Sequence, residues 1–255
     1  MHFQRGFSLA IKHYPLFLIA VIFDLLRIRD IMQRYQGFNI KFTIPSSLPS
    51  MTQVLPDAAT ESGFYGSVTL SAILGGGLFL VVYYLAFLFV NAYLKGGYLG
   101  CVLVGLRGGD VNIDCFLHNA GKYFSRFLAQ SLIFLAAASI LGLLVLSLGF
   151  LSFVFLLVFL AAYFLFALWD YSLVAEDMGV VDAAEKSWHL FLNDPVGIIS
   201  FLLPILLITG GFSILANYLA TTPLVVLAMI VYAFLGTGFI FSLMSYYLEI
   251  KDQAE

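Results

Sequence analysis

Charged residues are scarce in this sequence. Only 11% of its 255 residues are Asp, Glu, Lys or Arg, and 62% are hydrophobic. Soluble domains carry about 25% charged residues, because a surface in contact with water needs them. The scarcity therefore excludes an ordinary soluble domain and indicates a membrane protein. The 12 Lys and Arg residues fall in a few short segments instead of forming one basic face, so nucleic acid is not an expected partner.

Catalytic and metal-binding motifs are also missing. The two cysteines, Cys101 and Cys115, are too far apart for a CxxC motif, and we expect free thiols. With His118 they would offer three soft metal ligands, but their spacing fits no zinc pattern. The four histidines accompany no recognisable Ser or Cys nucleophile pattern. We therefore predict no catalytic residues, no metal site and no cofactor, and a protein that is not an enzyme.

Long runs without charge indicate membrane-spanning helices. Residues 127–169 contain no charged residue and would form one helix of roughly 65 Å, twice the thickness of a bilayer. Residues 195–248 form a second such run, so each must fold back, near 147–149 and near 217–223. The predicted fold class is all-α: a polytopic transmembrane helical bundle of about six spans with short interfacial amphipathic helices. It forms a single integral membrane domain over 1–255, with spans near 14–28, 68–94, 127–147, 150–170, 196–218 and 224–248.

The first span resembles a signal peptide, since Arg5 and Lys12 precede an apolar run. No small-residue cleavage site follows it, so we expect a retained helix. Lys and Arg near helix ends predict which side is cytoplasmic. The predicted inner segments hold eight of them: Arg5, Lys12, Lys95, Arg107, Lys122, Arg126, Lys186 and Lys251. The basic cluster at 27–41 supplies the four on the outer side, so both termini are predicted to be cytoplasmic.

The predicted outer loop covers 39–66. Pro45, Pro49 and Pro56, with several serines, argue against regular secondary structure there. Two interpretations remain open: a solvated connector, or a cap over an outward-facing cavity.

Two segments on the predicted inner side have amphipathic helical patterns. In the first, Asn112 or Asp114 is a candidate N-cap. In the second, Asp182 and Glu185 have the spacing of a capping box, and Trp188 lies on an apolar side. Both are expected to lie in the headgroup plane before a span. With residues 6–13 as a third copy, the chain reads as three units, each an interfacial helix followed by a two-span hairpin. A simple alternation of loops and spans is the alternative explanation of this pattern.

Polar residues in the spans are few. Asp24 and Arg27 are spaced for an ion pair on one helix. Asp170 lies between Trp169 and Tyr171, a pattern typical of the aromatic belt at a membrane interface. Asn91 is expected to form a hydrogen bond between helices.

Glycines in and after the second span favour close helix packing. We expect Gly75, Gly76 and Gly77 to mark a close crossing with small residues of other spans, namely Ala136, Ala137, Ala138, Gly236 and Gly238. A half-helix binding site is the alternative at these three glycines. A second group, Gly96, Gly100, Gly105 and Gly109, is expected to permit tight packing or to end the helix.

One short segment combines an acidic turn with a helix start rich in small residues. It reads LVAEDMG at 173–179, followed by Ala183-Ala184 and Ser187-Trp188. This segment and the six-span layout resemble a group of bacterial multi-span proteins that includes the membrane domains of some glycerophosphodiester phosphodiesterases. The resemblance implies a multi-pass protein of the bacterial cytoplasmic (inner) membrane. It implies no phosphodiesterase activity, because the catalytic domain of those enzymes is not in this sequence.

These observations predict a non-enzymatic integral membrane protein, a scaffold or accessory subunit that packs against partner subunits and membrane lipid. The alternative is a permease-like transport component for a small or lipidic substrate, which the glycine-rich second span and the repeated units favour. An intramembrane lipid enzyme would require a polar cluster that the sequence does not display.

Overall fold

The structure is a computed structural model that describes residues 2–33, 40–55, 70–148, 152–219 and 223–254. Within these ranges the chain forms ten α-helices and no β-strand, which confirms the all-α class. The helices are α1 (His2–Lys12), α2 (Pro15–Leu26), α3 (Ile28–Gln33), α4 (Leu70–Leu106), α5 (Ile113–Leu148), α6 (Ser152–Leu165), α7 (Trp169–Ala175), α8 (Val180–Asn193), α9 (Pro195–Leu219) and α10 (Val225–Ala254).

Three helical stretches within the described ranges are long and apolar enough to cross a membrane: Leu85–Leu106, Pro195–Leu219 and Val225–Gln253. The α1–α2 pair qualifies as a fourth span only if its 73° bend is counted within a single crossing. The structure therefore supports an α-helical membrane protein.

Helix boundaries lie where the two long charge-free runs were predicted to break. Helix α5 ends at Leu148 and α6 begins at Ser152, while α9 ends at Leu219 and α10 begins at Val225. Asp194 caps the start of α9 by accepting a hydrogen bond from the Gly197 N–H at 2.9 Å. Charge-free length thus indicated where these helices end.

Several predicted boundaries differ from the structure. In the segment 14–28, helix α2 has only 12 residues and is about 18 Å long. The segment 150–170 is interrupted, because α6 ends at Leu165 and a turn precedes α7. The segment 68–94 belongs to a longer helix, since α4 continues to Leu106. Its extension past Lys95 is possible because that lysine is paired inside the protein, as described below.

The amphipathic segments also differ from expectation. The first is continuous with the span that follows it in α5, although Asn112 does cap that helix by accepting from the Cys115 N–H at 2.8 Å. The second is a separate helix, α8, as predicted. Its N-cap is Gly179 and no side chain caps it, so the capping-box prediction is wrong. On α8, Ala183, Ser187 and Leu190 are buried, while Val181 and Trp188 stay exposed.

Close packing of α4 on α5 depends on glycine. A Cβ atom built on Gly97 would lie 2.9 Å from the Phe116 ring, and one on Gly96 would lie 3.1 Å from Tyr123 Cβ. Gly100 packs in the same way against Asn119, so the predicted tight packing after the second span is confirmed. Helix α4 then ends at a turn in which Gly108 has a φ of +82°.

The three glycines Gly75, Gly76 and Gly77 lie within α4, which is helical throughout, so an unwound half-helix there is excluded. Their side of α4 is outside the residues whose surroundings are described, and the predicted crossing stays a prediction. Two of its proposed partners are occupied elsewhere: Gly236 packs against Pro49, and Gly238 packs against Phe7.

Helix α10 lies at the centre of the bundle and defines its two ends. At its C-terminal end, α1 packs beside it, and His2 Nε2 lies 2.9 Å from Glu249 Oε2. Both ends of the described chain therefore lie at the same end of the bundle. Tyr232, about 25 Å away along α10, belongs to a second apolar cluster at the opposite end, with Phe212 and residues of the segment 40–55.

Candidate ligand-binding site

The segment 40–55, here called the strap, lies inside the helix bundle. Ile44, Leu48, Met51, Val54 and Leu55 are all less than 8% exposed. The strap is irregular apart from a 3-10 turn at Met51–Gln53. The solvated-connector interpretation is therefore wrong for this part of the predicted outer loop, and residues 56–66 lie outside the described residues.

Helix side chains satisfy the backbone of the strap. On α9, Thr209 Oγ1 accepts from the Thr43 N–H at 3.2 Å and donates to the Thr43 carbonyl at 2.9 Å. Ser213 Oγ accepts from the Lys41 N–H at 3.0 Å and donates to the Val54 carbonyl at 2.6 Å. Non-helical backbone is tolerated at membrane depth only where protein groups satisfy it. The strap meets this condition at these positions.

Tyrosines from three further helices reach the strap. The Tyr163 hydroxyl on α6 accepts from the Ile44 N–H at 2.8 Å. The Tyr171 hydroxyl on α7 donates to the Pro45 carbonyl at 2.9 Å, and the Tyr232 hydroxyl on α10 donates to Gln53 Oε1 at 3.1 Å. The strap is thus tied to α6, α7, α9 and α10.

Asp24 ties the strap to α2. Its side chain is fully buried, and its carboxyl group accepts from the Ser50 hydroxyl and, at 2.6 Å, from the Met51 N–H. Arg27, the predicted ion-pair partner, places its guanidinium 5.6 Å from the centre of the Phe23 ring. A charged residue that seemed to weaken the first span is therefore the anchor of the strap.

The sequence analysis missed the residues of α9 that receive the strap. Thr209, Ser213 and Asn217 recur every four residues in an otherwise apolar span, so they share one face of the helix, and all three are buried. Polar side chains on one face of a span are expected to face protein. This periodicity was the available signal for an internal polar partner.

A cavity of about 660 Å³ lies between α2, α4 and the strap. Helix α4 contributes one face, including Ala86, Val90 and Asn91, and the strap contributes Ser47 and Gln53 among others. Val90 is 53% exposed, so the cavity is open along α4. Pockets that hold one small molecule have volumes of about 300–1,000 Å³. The cap over a cavity, which was the second interpretation of this loop, matches the geometry of the strap.

The wall of this cavity combines polar and apolar side chains. The polar or charged residues in the described lining are Arg27, Lys41, Ser47, Ser50, Thr52, Gln53 and Asn91, and the apolar ones are Phe23, Leu48, Ala86, Phe87, Val90 and Leu94. Arg27 and Lys41, which belong to the basic cluster on the predicted outer side, thus line the cavity. Asn91, which we expected between packed helices, is exposed in this lining instead.

A second polar group lies away from the cavity, inside the bundle. Lys95 Nζ on α4 is 2.7 Å from Asp170 Oδ1 on α7, and Gln130 Nε2 on α5 donates to the same oxygen at 2.8 Å. Trp169 and Tyr171 are buried, so the aromatic-belt interpretation of this segment is wrong. Because Lys95 is paired with Asp170 inside the bundle, it no longer counts as a loop residue for the orientation rule. The predicted inner segments then hold seven Lys and Arg residues, against four in the predicted outer segments.

The acidic turn that carries the family resemblance has a structural role. Asp177, at a φ of +55°, lies 2.9 Å from Lys122 Nζ and 2.5 Å from Arg126 on α5. The hydrogen bond from Lys122, with a smaller contribution from Arg126, holds the pKa of the Asp177 carboxyl below its usual value. The adjacent Glu176 contacts Tyr247 and Lys251 on α10. The turn therefore connects the end of α7 to α5 and α10.

Ser187, the serine of the same motif, forms a hydrogen bond to the end of α6. Ser187 Oγ donates to the Leu165 carbonyl at 2.9 Å, an acceptor left without a helical partner when α6 ends. The Trp169 indole N–H donates to the Val180 carbonyl at 2.8 Å and joins the same region to α8.

The predicted free thiols are confirmed. Cys101 and Cys115 are unbridged, and their sulfur atoms are 3.1 Å apart between α4 and α5. Among the residues that the structure describes, no three His, Cys, Asp or Glu side chains come together as a metal site.

One grouping of residues resembles a hydrolytic triad but lacks its other requirements. His2 Nδ1 is 3.2 Å from Ser245 Oγ, and its other ring nitrogen contacts Glu249. Ser245 is inside α10, where backbone N–H groups are engaged in the helix and none is available as an oxyanion donor. Ser245 is also only 5% exposed. We assign no catalytic role to this group.

No protein-family model, curated protein or solved structure matches this chain. The resemblance to membrane domains of glycerophosphodiester phosphodiesterases therefore stays a prediction from sequence. The cavity and the strap carry the functional interpretation.

Proposed function

We propose that this chain is a non-enzymatic integral membrane protein that binds a small or lipidic molecule in the cavity beneath the strap. One observation carries the proposal: a cavity of about 660 Å³, open along α4, is lined by polar side chains, most of them from the strap, and by apolar side chains, most of them from α4. A binding or transport component requires such a chamber. The proposal corresponds to the permease-like alternative from the sequence.

In this proposal six spans cross the bacterial inner membrane, with both termini cytoplasmic and the strap at the outer end. The common location of both termini at one end of the bundle, opposite the strap, supports it. Single cysteines in place of Ser62 and Gln253, in a chain without Cys101 and Cys115, test the topology. An impermeant maleimide applied to intact cells should label position 62 and spare position 253, and the reverse result would contradict it.

The scaffold or accessory-subunit function is the second candidate. Large apolar side chains remain exposed along α9, among them Leu203, Leu207 and Leu215. They need lipid or a partner subunit against them. Recovery of a stoichiometric second subunit with the native protein, and no bound small molecule, would favour this function.

A cavity-filling substitution tests the proposed function. Ala86→Trp places a large side chain in the cavity, and Ala137→Trp places the same side chain on an exposed position of α5. Native mass spectrometry of the gently extracted protein should detect a bound molecule in the wild type and in Ala137→Trp, and not in Ala86→Trp. Equal occupancy in all three proteins would refute a role for the cavity.

A further inference from the structure

We propose that Cys101 and Cys115 form a redox-active thiol pair, which a hydroperoxide converts into a disulfide and a dithiol reductant restores. They are the two cysteines of the whole sequence, and the fold brings their sulfur atoms to 3.1 Å from each other. A disulfide bond is about 2.05 Å long, so a further approach of about 1 Å closes it. This modification site is separate from the cavity and does not depend on what the cavity binds.

The packing of α4 on α5 brings the two thiols together. A bridge between two helices requires closely spaced backbones. Gly97 and Gly100 precede Cys101 on α4, and a Cβ atom on either of them would overlap a neighbour on α5. These neighbours are Phe116 and Asn119, which lie on the same turns of α5 as Cys115. The contact between the sulfurs is therefore fixed by the closest part of this helix pair.

The two thiols differ in their access to water. Cys101 is fully buried, whereas Cys115 is partly exposed in the first turn of α5. The neighbouring turn between the helices carries the exposed charged residues Arg107, Asp110 and Asp114. An oxidant dissolved in water therefore meets Cys115 first.

Hydrogen bonds distinguish the same two sulfurs. The Cys101 thiol donates to Cys115 Sγ, and Asn119 Nδ2 donates to this sulfur at 3.4 Å and to the Cys115 carbonyl at 2.8 Å. Hydrogen bonds to a charged group favour its charged form, whereas burial disfavours it. Of the two sulfurs, Cys115 is thus the better site for the negative charge of a thiolate. This assigns Cys115 as the attacking thiol and Cys101 as the resolving thiol.

The reaction with a hydroperoxide balances in two steps. The Cys115 thiolate attacks a peroxide oxygen and the O–O bond breaks, which leaves a sulfenic acid on Cys115 and an alcohol or water after uptake of one proton. The Cys101 sulfur then attacks the sulfenic sulfur and the S–O bond breaks, and the hydroxyl group leaves as water with the Cys101 proton. The thiols lose two electrons and the hydroperoxide gains them. A dithiol reductant reverses the change by thiol–disulfide exchange.

The pair lies at the end of the bundle that the proposed topology places in the cytoplasm. The Tyr98 hydroxyl lies 2.6 Å from Thr237 Oγ1, and further along α4, Gly105 packs against Phe241. Helix α4 therefore runs toward the end of α10 beside which His2 lies. Cytoplasmic thiols are kept reduced, and the disulfides that form there are usually transient and redox-sensing. The pair should accordingly be reduced in resting cells and bridged during exposure to a hydroperoxide.

Oxidation of the purified full-length protein in a neutral detergent tests the pair. Hydrogen peroxide should remove both thiols together, and the intact mass should fall by the mass of two hydrogen atoms. Dithiothreitol should restore both thiols. The inference is wrong if Cys115 gains oxygen while Cys101 stays a free thiol, if the bridges join different chains, or if neither thiol reacts.

Variants with a matched control test the roles of the two thiols. Cys101→Ala should leave a sulfenic acid on Cys115 that dimedone traps, and Cys115→Ser should leave Cys101 at least about tenfold less reactive, because oxidation follows exposure. The control Cys115→Ser/Asp114→Cys keeps two thiols but moves one of them to the neighbouring exposed position. It should form no bridge. Bridging of the control as fast as the wild type, or equal reactivity of the two single thiols, would overturn the assignment.

Thiol trapping in cells tests the sensing role. Cells are quenched in acid before and after exposure to hydrogen peroxide, and their free thiols are then alkylated. Both thiols of the wild type should be free before exposure and bridged after it. A bridge already present in resting cells would indicate a permanent structural disulfide, and free thiols after exposure would show that the pair does not respond. Either result would contradict the sensing role.

Discussion

Removal of the Asp24 carboxyl group should release the strap from the bundle. In Asp24→Ala, the Ser50 hydroxyl keeps a neighbour in Thr52 Oγ1, 2.9 Å away, but the Met51 N–H loses its acceptor. Met51 is fully buried, so water cannot replace that acceptor while the strap is in place. A buried unsatisfied donor costs about 1–3 kcal/mol. The population with an undocked strap should therefore rise about 5- to 150-fold.

Cysteine accessibility measures this release. Val54 is fully buried in the docked strap, so Val54→Cys in a chain without its native thiols should react slowly with maleimide. Asp24→Ala should accelerate the reaction by the factor above, because labelling follows local opening. Asp24→Asn retains one carbonyl acceptor and should be intermediate. Asp252→Ala, an exposed control, should have no effect. Equal labelling in Asp24→Ala and the control would refute the anchoring role.

Three further predictions concern the frame that holds the cavity. Lys95→Met leaves Asp170 buried without its cation and should cost about 3–5 kcal/mol, whereas addition of Asp170→Asn should recover most of it, as measured by thermal unfolding in detergent. Gly97→Ala should destabilise the protein because its new Cβ has no room against α5, while Gly121→Ala, with open space around it, should stabilise by up to about 1 kcal/mol; the opposite order would contradict the packing. Asp177→Asn should cost at most about 1 kcal/mol at neutral pH, since the group is half exposed. The pKa of Asp177 is lowered in the folded protein. The greater stability of the wild type over Asp177→Asn is therefore present above the ordinary pKa of aspartate, and it should disappear as the pH falls through the lower folded value. A stability difference that persists in acid would contradict the ion-pair account.

Hydropathy and charge were sufficient to predict the helical class, the helix ends near 148 and 220, and the role of glycine after the second span. These features depend on local composition. Lys95 shows the limit of this reasoning. A lysine after an apolar run normally ends a span, and only the tertiary pairing with Asp170 lets α4 continue to Leu106.

The strap could not be predicted from its own residues. Its prolines and serines are typical of a solvated loop, and its burial depends on hydrogen bonds with the hydroxyl groups of Thr209 and Ser213, more than 150 residues away along the chain. The polar residues Thr209, Ser213 and Asn217 on one face of α9 did indicate a polar partner inside the protein, although they did not indicate which segment it is. The cavity arises from the same long-range contacts, so its lining was likewise outside the reach of local patterns.

Site-specific photocross-linking in native membranes tests most directly whether the cavity binds a small or lipidic molecule. A photoreactive side chain at Asn91 would lie in the cavity, and one at Leu132 would lie on an exposed apolar position of α5. We predict that one small or lipidic molecule is enriched among those captured at position 91 relative to the surrounding membrane, while those captured at position 132 reflect its bulk composition. The same lipid composition at both positions would contradict the account.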